Sequence, residues 1–212
     1  MTSGPFGATS DRAMTRHLPE QTRREQILAA ARKCFIERGY HPTRMEDIAA
    51  AAGLSKGGVY FHFDSKKEVF DALVEDEFED SMRAIQDITA GEGPIVEKMS
   101  RMAGHFVTDF ANTPDGPRFF IVMGEMALRD PDLATKLRDR QGVFIGEVTK
   151  LVEQGVREGF LRETDAVTTA TLLKALIDGV EALAALSYPV EMSHLLTQGL
   201  QLIMGGIAKT DG

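Results

Sequence analysis

The 212-residue chain is 43% hydrophobic and 26% charged, which is typical of a soluble protein with one large domain or two smaller ones. No apolar run approaches the about 18 residues that a membrane span requires, and the N-terminus lacks the apolar stretch of a secretory signal, so we expect no contact with a membrane. The single cysteine excludes an internal disulfide and favours the cytoplasm as the location of the protein.

Charge is divided unevenly along the chain. The net charge of −8 argues against nucleic-acid binding by the chain as a whole. Residues 1–67, however, contain 11 Lys and Arg against 7 Asp and Glu, a net charge of +4, whereas residues 68–212 carry −12. A polyanion would therefore be attracted to the first third of the chain, although a chance distribution of solvated charge would give the same totals.

Helical periodicity dominates the sequence after its first residues. Residues 1–18, which begin with a stretch rich in Gly, Pro, Ser and Thr, are predicted to be a disordered tail. From Gln21 onward apolar residues recur at three- and four-residue steps, as in Ile27, Ala31 and Phe35, and no alternating strand pattern competes with them. Glycine and proline divide this periodicity into about nine helices, so we predict an all-α protein.

Two short helices are predicted between Pro42 and Asp64. Thr43–Glu46 has the pattern of a capping box, in which Thr43 and Glu46 each satisfy a free backbone donor at a helix start. That helix ends before Gly53, which suits a left-handed closing residue, and Ser55 caps the next helix. A second capping box, Ser65–Glu68, opens a long amphipathic helix.

A short helix, a tight turn with glycine and a second short helix form the helix-turn-helix that places a recognition helix in the major groove of DNA. Paired short helices also occur as plain packing elements. Nearby side chains that can donate hydrogen bonds to phosphate oxygens favour the DNA-binding interpretation. They are Arg44, Lys56, Tyr60, His62, Lys66 and Lys67.

From Thr22 to Val74 the sequence resembles the DNA-binding domain of the TetR/AcrR family of bacterial repressors. The similarity lies in Gly39-Tyr40, in the run from Ala52 to Gly57, in the run from Val59 to Phe63, and in Ser65–Glu68, in the order and spacing of the family. The remaining two thirds match in outline, through Gly159-Phe160-Leu161, Asp165 and Asp178-Gly179.

The resemblance implies a division into the tail (1–18), a three-helix helix-turn-helix domain (19–66) and a larger helical domain for ligand binding and dimerisation (67–212). It also implies which residues lie at the DNA. Where family members often have Ser, Thr or Ala, this chain has Gly58, and two consecutive glycines suggest that close backbone approach to DNA matters more than helix propensity. The alternative is a poorly formed recognition helix in the free protein. The predicted DNA-binding residues are Thr43, Arg44, Lys56, Gly57, Gly58, Tyr60, His62 and Lys66.

Residues 95–127 are rich in methionine and phenylalanine, which are either ordinary core or the lining of an adaptable apolar pocket. The family resemblance favours a pocket, because effector cavities of such proteins lie in this region. We therefore expect a largely apolar effector, oriented by His105 and Glu125. The predicted ligand-binding residues are Met102, His105, Phe106, Phe110, Phe120, Met123 and Met126.

The last two predicted helices, residues 165–187 and 192–208, are apolar over most of their circumference. A monomer could bury both only with an additional layer, whereas two copies could pack them as a symmetric four-helix bundle. We therefore predict a homodimer. The predicted dimerisation residues are Ile177, Val180, Ala184, Leu196 and Ile203.

The predicted function is that of a dimeric transcriptional repressor, released from a palindromic double-stranded DNA operator by a small-molecule effector. The alternatives are a helical enzyme or carrier with an incidental basic domain, and a DNA-binding protein without an effector. The sequence has no phosphate loop, nucleophile motif or dinucleotide fingerprint, so we predict neither an enzyme nor a cofactor. His105 and Asp109 could form half of a metal site, but no further ligands stand nearby, and no metal is predicted.

Overall fold

Nine α-helices make up most of residues 19–208, which are the residues that this computed structural model describes. Over this range the prediction of an all-α protein with about nine helices is confirmed, while the predicted tail, residues 1–18, lies outside it. Within the same range no helix combines the length and apolar character needed to cross a membrane. The helices are α1 (Glu20–Arg38), α2 (Met45–Ala51), α3 (Lys56–Tyr60), α4 (Lys66–Ala90), α5 (Ile95–Asn112), α6 (Gly116–Ala127), α7 (Pro131–Arg157), α8 (Ala166–Ala185) and α9 (Met192–Ile207).

Local capping explains where the short helices begin and end. The Ser55 hydroxyl accepts a hydrogen bond from the Gly58 N–H at 3.1 Å, and the Ser65 hydroxyl accepts one from the Glu68 N–H at 3.1 Å. Gly53, which follows α2, has a φ of +66°, a left-handed conformation that glycine adopts without a steric cost. These three predicted boundaries are confirmed.

The predicted start of α2 is wrong by one residue. The N-cap is Arg44, whose N–H donates to the Asp47 carboxylate at 2.8 Å. Thr43 is buried instead, with 1% of its surface exposed, and its hydroxyl donates to the Gly39 carbonyl at 2.8 Å. The sequence offers an acidic residue three positions after either candidate, and the burial of Thr43 selects the later one.

A first hydrophobic core joins α1, α2 and α3 to the beginning of α4 and to α6. Its centre is aromatic: the rings of Phe35 and Phe70 lie 5.6 Å apart, and those of Phe70 and Phe119 lie 5.8 Å apart. Met123 and Met126 of α6 belong to the same core. The helix-turn-helix segment therefore does not enclose its own core, because α4 and α6 cover it.

A second hydrophobic core lies between the later part of α4 and helices α5, α7, α8 and α9. Met82 and Ile85 bring α4 into it, so this helix contributes to both cores. The connection before α8 is fixed to the end of α9, because the Arg162 N–H donates to the Ile207 carbonyl at 2.8 Å. The predicted division between residues 66 and 67 thus coincides with the start of a helix that serves both regions.

Helices α8 and α9 bury different faces from those that the sequence suggested. Val180 and Leu196, which we expected to contact a second copy, are buried inside the subunit, at 2% and 1% exposure. Large apolar side chains are exposed elsewhere on these helices, as in Leu172 of α8 at 57% and Leu202 of α9 at 76%. The prediction for Val180 and Leu196 is therefore wrong, because each helix uses that stripe to pack within its own subunit.

Candidate DNA-binding surface and effector cleft

The recognition helix, α3, is held by one deeply buried side chain and presents the others outward. Val59 is fully buried, whereas Tyr60 is 40% exposed and Phe61, directly after the helix, is 79% exposed. The Lys56 ammonium lies 5.6 Å from the centre of the Tyr60 ring. Arg44, at the N-terminus of α2, is also exposed, and His62 is half-buried with its ring 5.1 Å from that of Phe61.

The two glycines of α3 face different surroundings. A Cβ built on Gly57 would meet no atom within 4 Å, so this position opens outward. A Cβ on Gly58 would lie 3.4 Å from the Ser55 hydroxyl oxygen and 3.7 Å from the Leu54 Cβ, so this position faces the turn. A close approach of DNA to the backbone is therefore possible at Gly57, and the geometry does not favour it at Gly58.

An acidic side chain competes for the most prominent cation of this surface. Glu46 of α2 lies 2.5 Å from the Lys56 ammonium, and both side chains are exposed. The hydrogen bond from Lys56 lowers the pKa of Glu46 and raises that of Lys56 itself. Since an exposed ion pair contributes little net free energy, a phosphate group could take over the Lys56 ammonium without a large loss.

The Lys66 ammonium is bonded to backbone carbonyls of the protein itself and is not presented to DNA at the surface. Its ammonium donates to the carbonyls of Tyr40, His41 and Thr43 at 2.7, 3.1 and 2.7 Å, and burial lowers its pKa. An ammonium group has three N–H donors, so these carbonyls use all of them. Together with the buried hydroxyl of Thr43, this geometry gives both residues the role of fixing the segment between α1 and α2.

A cleft lies among α4, α5, α6, α7 and α8 and has two adjoining lobes, which we call the effector cleft. The larger lobe has a volume of about 230 Å³, and the smaller, which also reaches α9, has about 200 Å³. Each lobe is smaller than the about 300 to 1,000 Å³ of most ligand pockets, so a ligand of that size would need both lobes together. Both lobes are lined by Glu77, Ser81, Phe106, Asp109, Ile177 and Glu181.

Some of the predicted ligand-binding residues line this cleft. Phe106, Phe120 and Met123 line the larger lobe, and Phe110 lines the smaller. His105 approaches it indirectly, because its Nε2 lies 3.1 Å from the hydroxyl of the lining residue Ser81.

Three other predicted residues lie outside the walls of the cleft. Met102 and Met126 are buried in the second and first core, and Glu125 is exposed with an ion pair to Arg129 at 3.8 Å. Of the predicted dimerisation residues, Ile177 lines the cleft, Ala184 lines a separate surface depression, and Ile203 packs against the second core.

Three acidic side chains that no sequence motif predicts as ligand-binding residues line both lobes of the cleft. Glu77, Asp109 and Glu181 come from α4, α5 and α8. Burial raises the pKa of Glu181 to about 7, nearby Lys174 lowers it, and the negative charges of Asp178, Glu77 and Asp109 raise it further. Residues so distant in sequence share no motif, and their convergence is visible only once the helices are packed.

One wall of the cleft is bonded to the DNA-binding region. The Glu77 carboxylate lies 2.5 Å from the Arg32 guanidinium of α1, and the same guanidinium lies 4.6 Å from the centre of the Phe119 ring. A change at Glu77 would therefore act directly on the helix against which α2 packs.

The fold and the surface of α3 define a helix-turn-helix regulator, and comparison with known proteins specifies the family. Residues 27–73 match the model described as bacterial regulatory proteins, tetR family, and residues 96–204 match the model described as BetI-type transcriptional repressor, C-terminal. The chain belongs to the TetR family. It is a DNA-binding transcriptional regulator and not an enzyme, as the sequence predicted.

Relatives match over most of their length. The HTH-type transcriptional repressor AcnR of Corynebacterium glutamicum is 27% identical over 189 residues, 89% of this chain and 94% of AcnR. A SmeT–triclosan complex superposes with a TM-score of 0.74 at 25% identity, covering 89% of this chain and 93% of that one; SmeT is the repressor of a Stenotrophomonas maltophilia multidrug efflux pump. A Saccharomonospora viridis regulator in complex with choline superposes at 0.76 with 21% identity, covering 90% of this chain and all of that one.

Proposed function

We propose that this chain is a homodimeric repressor that leaves a palindromic operator when a small molecule occupies the effector cleft. The observation that carries the proposal is the contact of Glu77, a wall of the cleft, with Arg32 of α1. A ligand in the cleft meets the same side chain that holds the DNA-binding region. Such a protein acts in the cytoplasm, where operator and effector meet.

At the DNA, Lys56 and Tyr60 are the residues that we assign to phosphate contacts, with Arg44 and His62 beside them. Their side chains are exposed or half-exposed around α3, and they carry the donors that phosphate oxygens accept. Gly57 allows the phosphate backbone to approach the helix closely. Thr43, Gly58 and Lys66 act indirectly in this proposal, by holding the turn and the segment before α2 in place.

Dimerisation is assigned to the outer faces of α8 and α9. Leu172 and Leu202 are exposed there, and Gly205 and Gly206 have open space where a Cβ would stand. Exposed leucines beside glycines allow two helices to pack closely, and a symmetric pair of such faces buries both. The dimer sets the two recognition helices at the spacing of successive major grooves, about 34 Å.

Release from the operator follows from the placement of α4 in both cores. Its first turns pack with α1 and α6 through Phe70, and its later turns contact α5 and contribute Ile85 to the second core. A ligand that favours one position of α4 changes the orientation of α3 relative to its counterpart in the dimer. By linkage, that ligand must bind the free dimer more tightly than the operator-bound dimer, by the same factor by which it weakens operator binding.

Fluorescence anisotropy with a labelled palindrome from the upstream region of the gene tests this function. We expect specific binding at moderate salt and release by compounds that also stabilise the protein thermally. Binding that no stabilising compound changes would indicate a DNA-binding protein without an effector. Compound binding without any operator binding would indicate a carrier.

A further inference from the structure

Aromatic rings form much of the surface of the larger lobe. Phe78 comes from α4, Phe106 from α5, Phe120 from α6 and Phe144 from α7. The rings of Phe106 and Phe144 lie 5.6 Å apart at an angle of 48°. Faces of aromatic rings attract cations, because the π-electron cloud carries partial negative charge. The Lys174 ammonium lies 5.5 Å from the centre of the Phe144 ring, so one ring of this wall already has a cation beside it.

Carboxylates outnumber cations on the same walls. Glu77, Asp109 and Glu181 line both lobes, whereas Lys174 lines the larger lobe and forms an ion pair with Asp178. Glu77 is paired with Arg32, which does not line either lobe. The cleft therefore combines aromatic surface with an excess of negative charge.

Glu181 lines both lobes of the cleft and has no counter-ion bonded to it among the described residues. Within residues 19–208, the carboxylate takes part in no hydrogen bond or ion pair. The charged groups that face it are Lys174 and Asp178 of α8, Glu77 of α4 and Asp109 of α5. A mostly buried carboxylate without a bonded partner is costly to ionise, and a ligand with positive charge would remove that cost.

From this geometry we infer that the effector cleft binds a cationic amphiphile, an amine or quaternary ammonium group attached to an apolar body, with the cation between Glu181 and the aromatic wall. This inference rests on the proposed function of the cleft and replaces the expectation of a largely apolar effector. A neutral apolar ligand would cover the carboxylates without compensating them. An anion would be repelled by Glu77, Asp109 and Glu181 together.

Linked proton release distinguishes the binding of a cation at Glu181 from the binding of a ligand by apolar packing alone. Burial raises the pKa of Glu181 to about 7 in the free protein, and a bound cation favours the ionised carboxylate and lowers that pKa. Binding of a cation below pH 7 therefore releases a proton, and the affinity rises with pH between about 6 and 8. The affinity of a neutral ligand of the same shape would not rise with pH in this way.

The test uses phenyltrimethylammonium, its neutral isostere tert-butylbenzene, and benzoate as the anion, with binding measured by isothermal titration calorimetry on the full chain at pH 6 and pH 8. We expect the cation to bind at least about tenfold more tightly than its isostere at pH 8, more weakly at pH 6, and with proton release. Glu181→Gln should lower the cation affinity by about tenfold and abolish the pH dependence. Glu153→Gln, an exposed change on α7, is the matched control and should leave both unchanged.

Equal or tighter binding of tert-butylbenzene, binding of benzoate alone, or no binding of the cation would each overturn the inference. So would a cation affinity that is insensitive to Glu181→Gln. If that variant does not fold, Asp109→Asn is measured in its place; it should lower the cation affinity, whereas the pH dependence should remain because Glu181 is still present. Operator release is measured separately by anisotropy, so a cation that binds as described without weakening DNA binding supports the ligand class and contradicts the proposed function.

Discussion

Arg32 of α1 and Glu77 of α4 form an ion pair in which each side chain is 20% exposed. The second terminal nitrogen of Arg32 is buried and has no hydrogen-bond partner among the described residues. The guanidinium therefore depends on Glu77 and on the face of Phe119 for compensation of its charge. This pair connects the helix that supports the recognition element to the wall of the effector cleft.

Glu77→Gln is expected to uncouple the cleft from DNA binding. The amide keeps the shape but loses the charge, which should lower the free energy of unfolding by about 2 kcal/mol and reduce the change in operator affinity that a ligand causes. Anisotropy with and without ligand measures the second effect. Glu79→Gln, whose exposed pair with Arg83 lies on the same helix, is the control and should change neither. A full ligand response in Glu77→Gln would remove the pair from the coupling.

Alanine at the two glycines of α3 should separate DNA contact from helix stability. Gly57→Ala places its methyl group in open space, so the free protein should be stabilised by up to about 1 kcal/mol while operator affinity falls at least about tenfold. Gly58→Ala places the methyl group against Ser55 and Leu54 and should affect DNA binding much less. Thermal unfolding and anisotropy on both variants check this. Equal effects on operator affinity would contradict the outward placement of Gly57.

Two lysines of the DNA-binding region should respond differently to alanine. Lys56→Ala is expected to weaken operator binding and to reduce the slope of log affinity against log salt concentration by about 1. Lys66→Ala leaves three carbonyls without their donor, so it should lower the free energy of unfolding by about 2 kcal/mol with little change in the slope. Titrations at several salt concentrations, with denaturant unfolding, distinguish them. A reduced slope for folded Lys66→Ala would place that ammonium at a phosphate.

Substitutions by aspartate on α8 and α9 should show which face of these helices forms the dimer interface. Leu202→Asp introduces a charge on a side chain that is 76% exposed in the subunit, so we expect a folded monomer. Val180→Asp introduces the charge into the second core and should unfold the protein. Light scattering against the chain mass of 23.2 kDa, with circular dichroism, measures both. A dimer that persists in Leu202→Asp would move the interface elsewhere.

The pKa of Glu181 also predicts a pH dependence of stability. Because its folded value of about 7 exceeds the ordinary 4.5, the folded state binds the proton more tightly, and stability falls as pH rises between these two values. Glu181→Gln should remove that contribution, which is on the order of 3 kcal/mol. The variant should therefore have a higher free energy of unfolding than the unsubstituted chain at pH 8 but not at pH 4. Denaturant unfolding at both pH values checks the sign. An equal difference at the two values would contradict it.

The sequence predicted the helices well because their ends are determined locally. Ser55, Ser65 and Gly53 act on neighbouring backbone groups, and their roles need no knowledge of the rest of the chain. Thr43 was misassigned because burial, which depends on α1, decides between two adjacent caps.

The residues that line the cleft were less predictable, because the lining, like the burial of Thr43, depends on how the helices pack. Phe106 and Met123 could be assigned to a pocket by their type, but Met126, of the same type and in the same core as Met123, does not line the cleft. Val180 and Ile177 lie on neighbouring stripes of one apolar helix, and only the packing of α8 decides that both face inward. No local sequence pattern predicts that the acidic residues line a common cleft, because they come together only when three helices pack against one another.

The Phe70–Phe119 contact bears on how members of this family can be recombined. A chimera that joins the first 66 residues to the ligand domain of a relative would keep every residue of the helix-turn-helix. It would nevertheless lose the natural neighbour of Phe35 and Tyr40, because Phe70, together with Phe119 behind it, comes from the other parent. A replacement that differed by one or two methylene groups there would leave a cavity or an overlap beneath the recognition helix. To exchange DNA-binding specificity between relatives, the facing residues of α4 and α6 must therefore be transferred together with the helix-turn-helix segment.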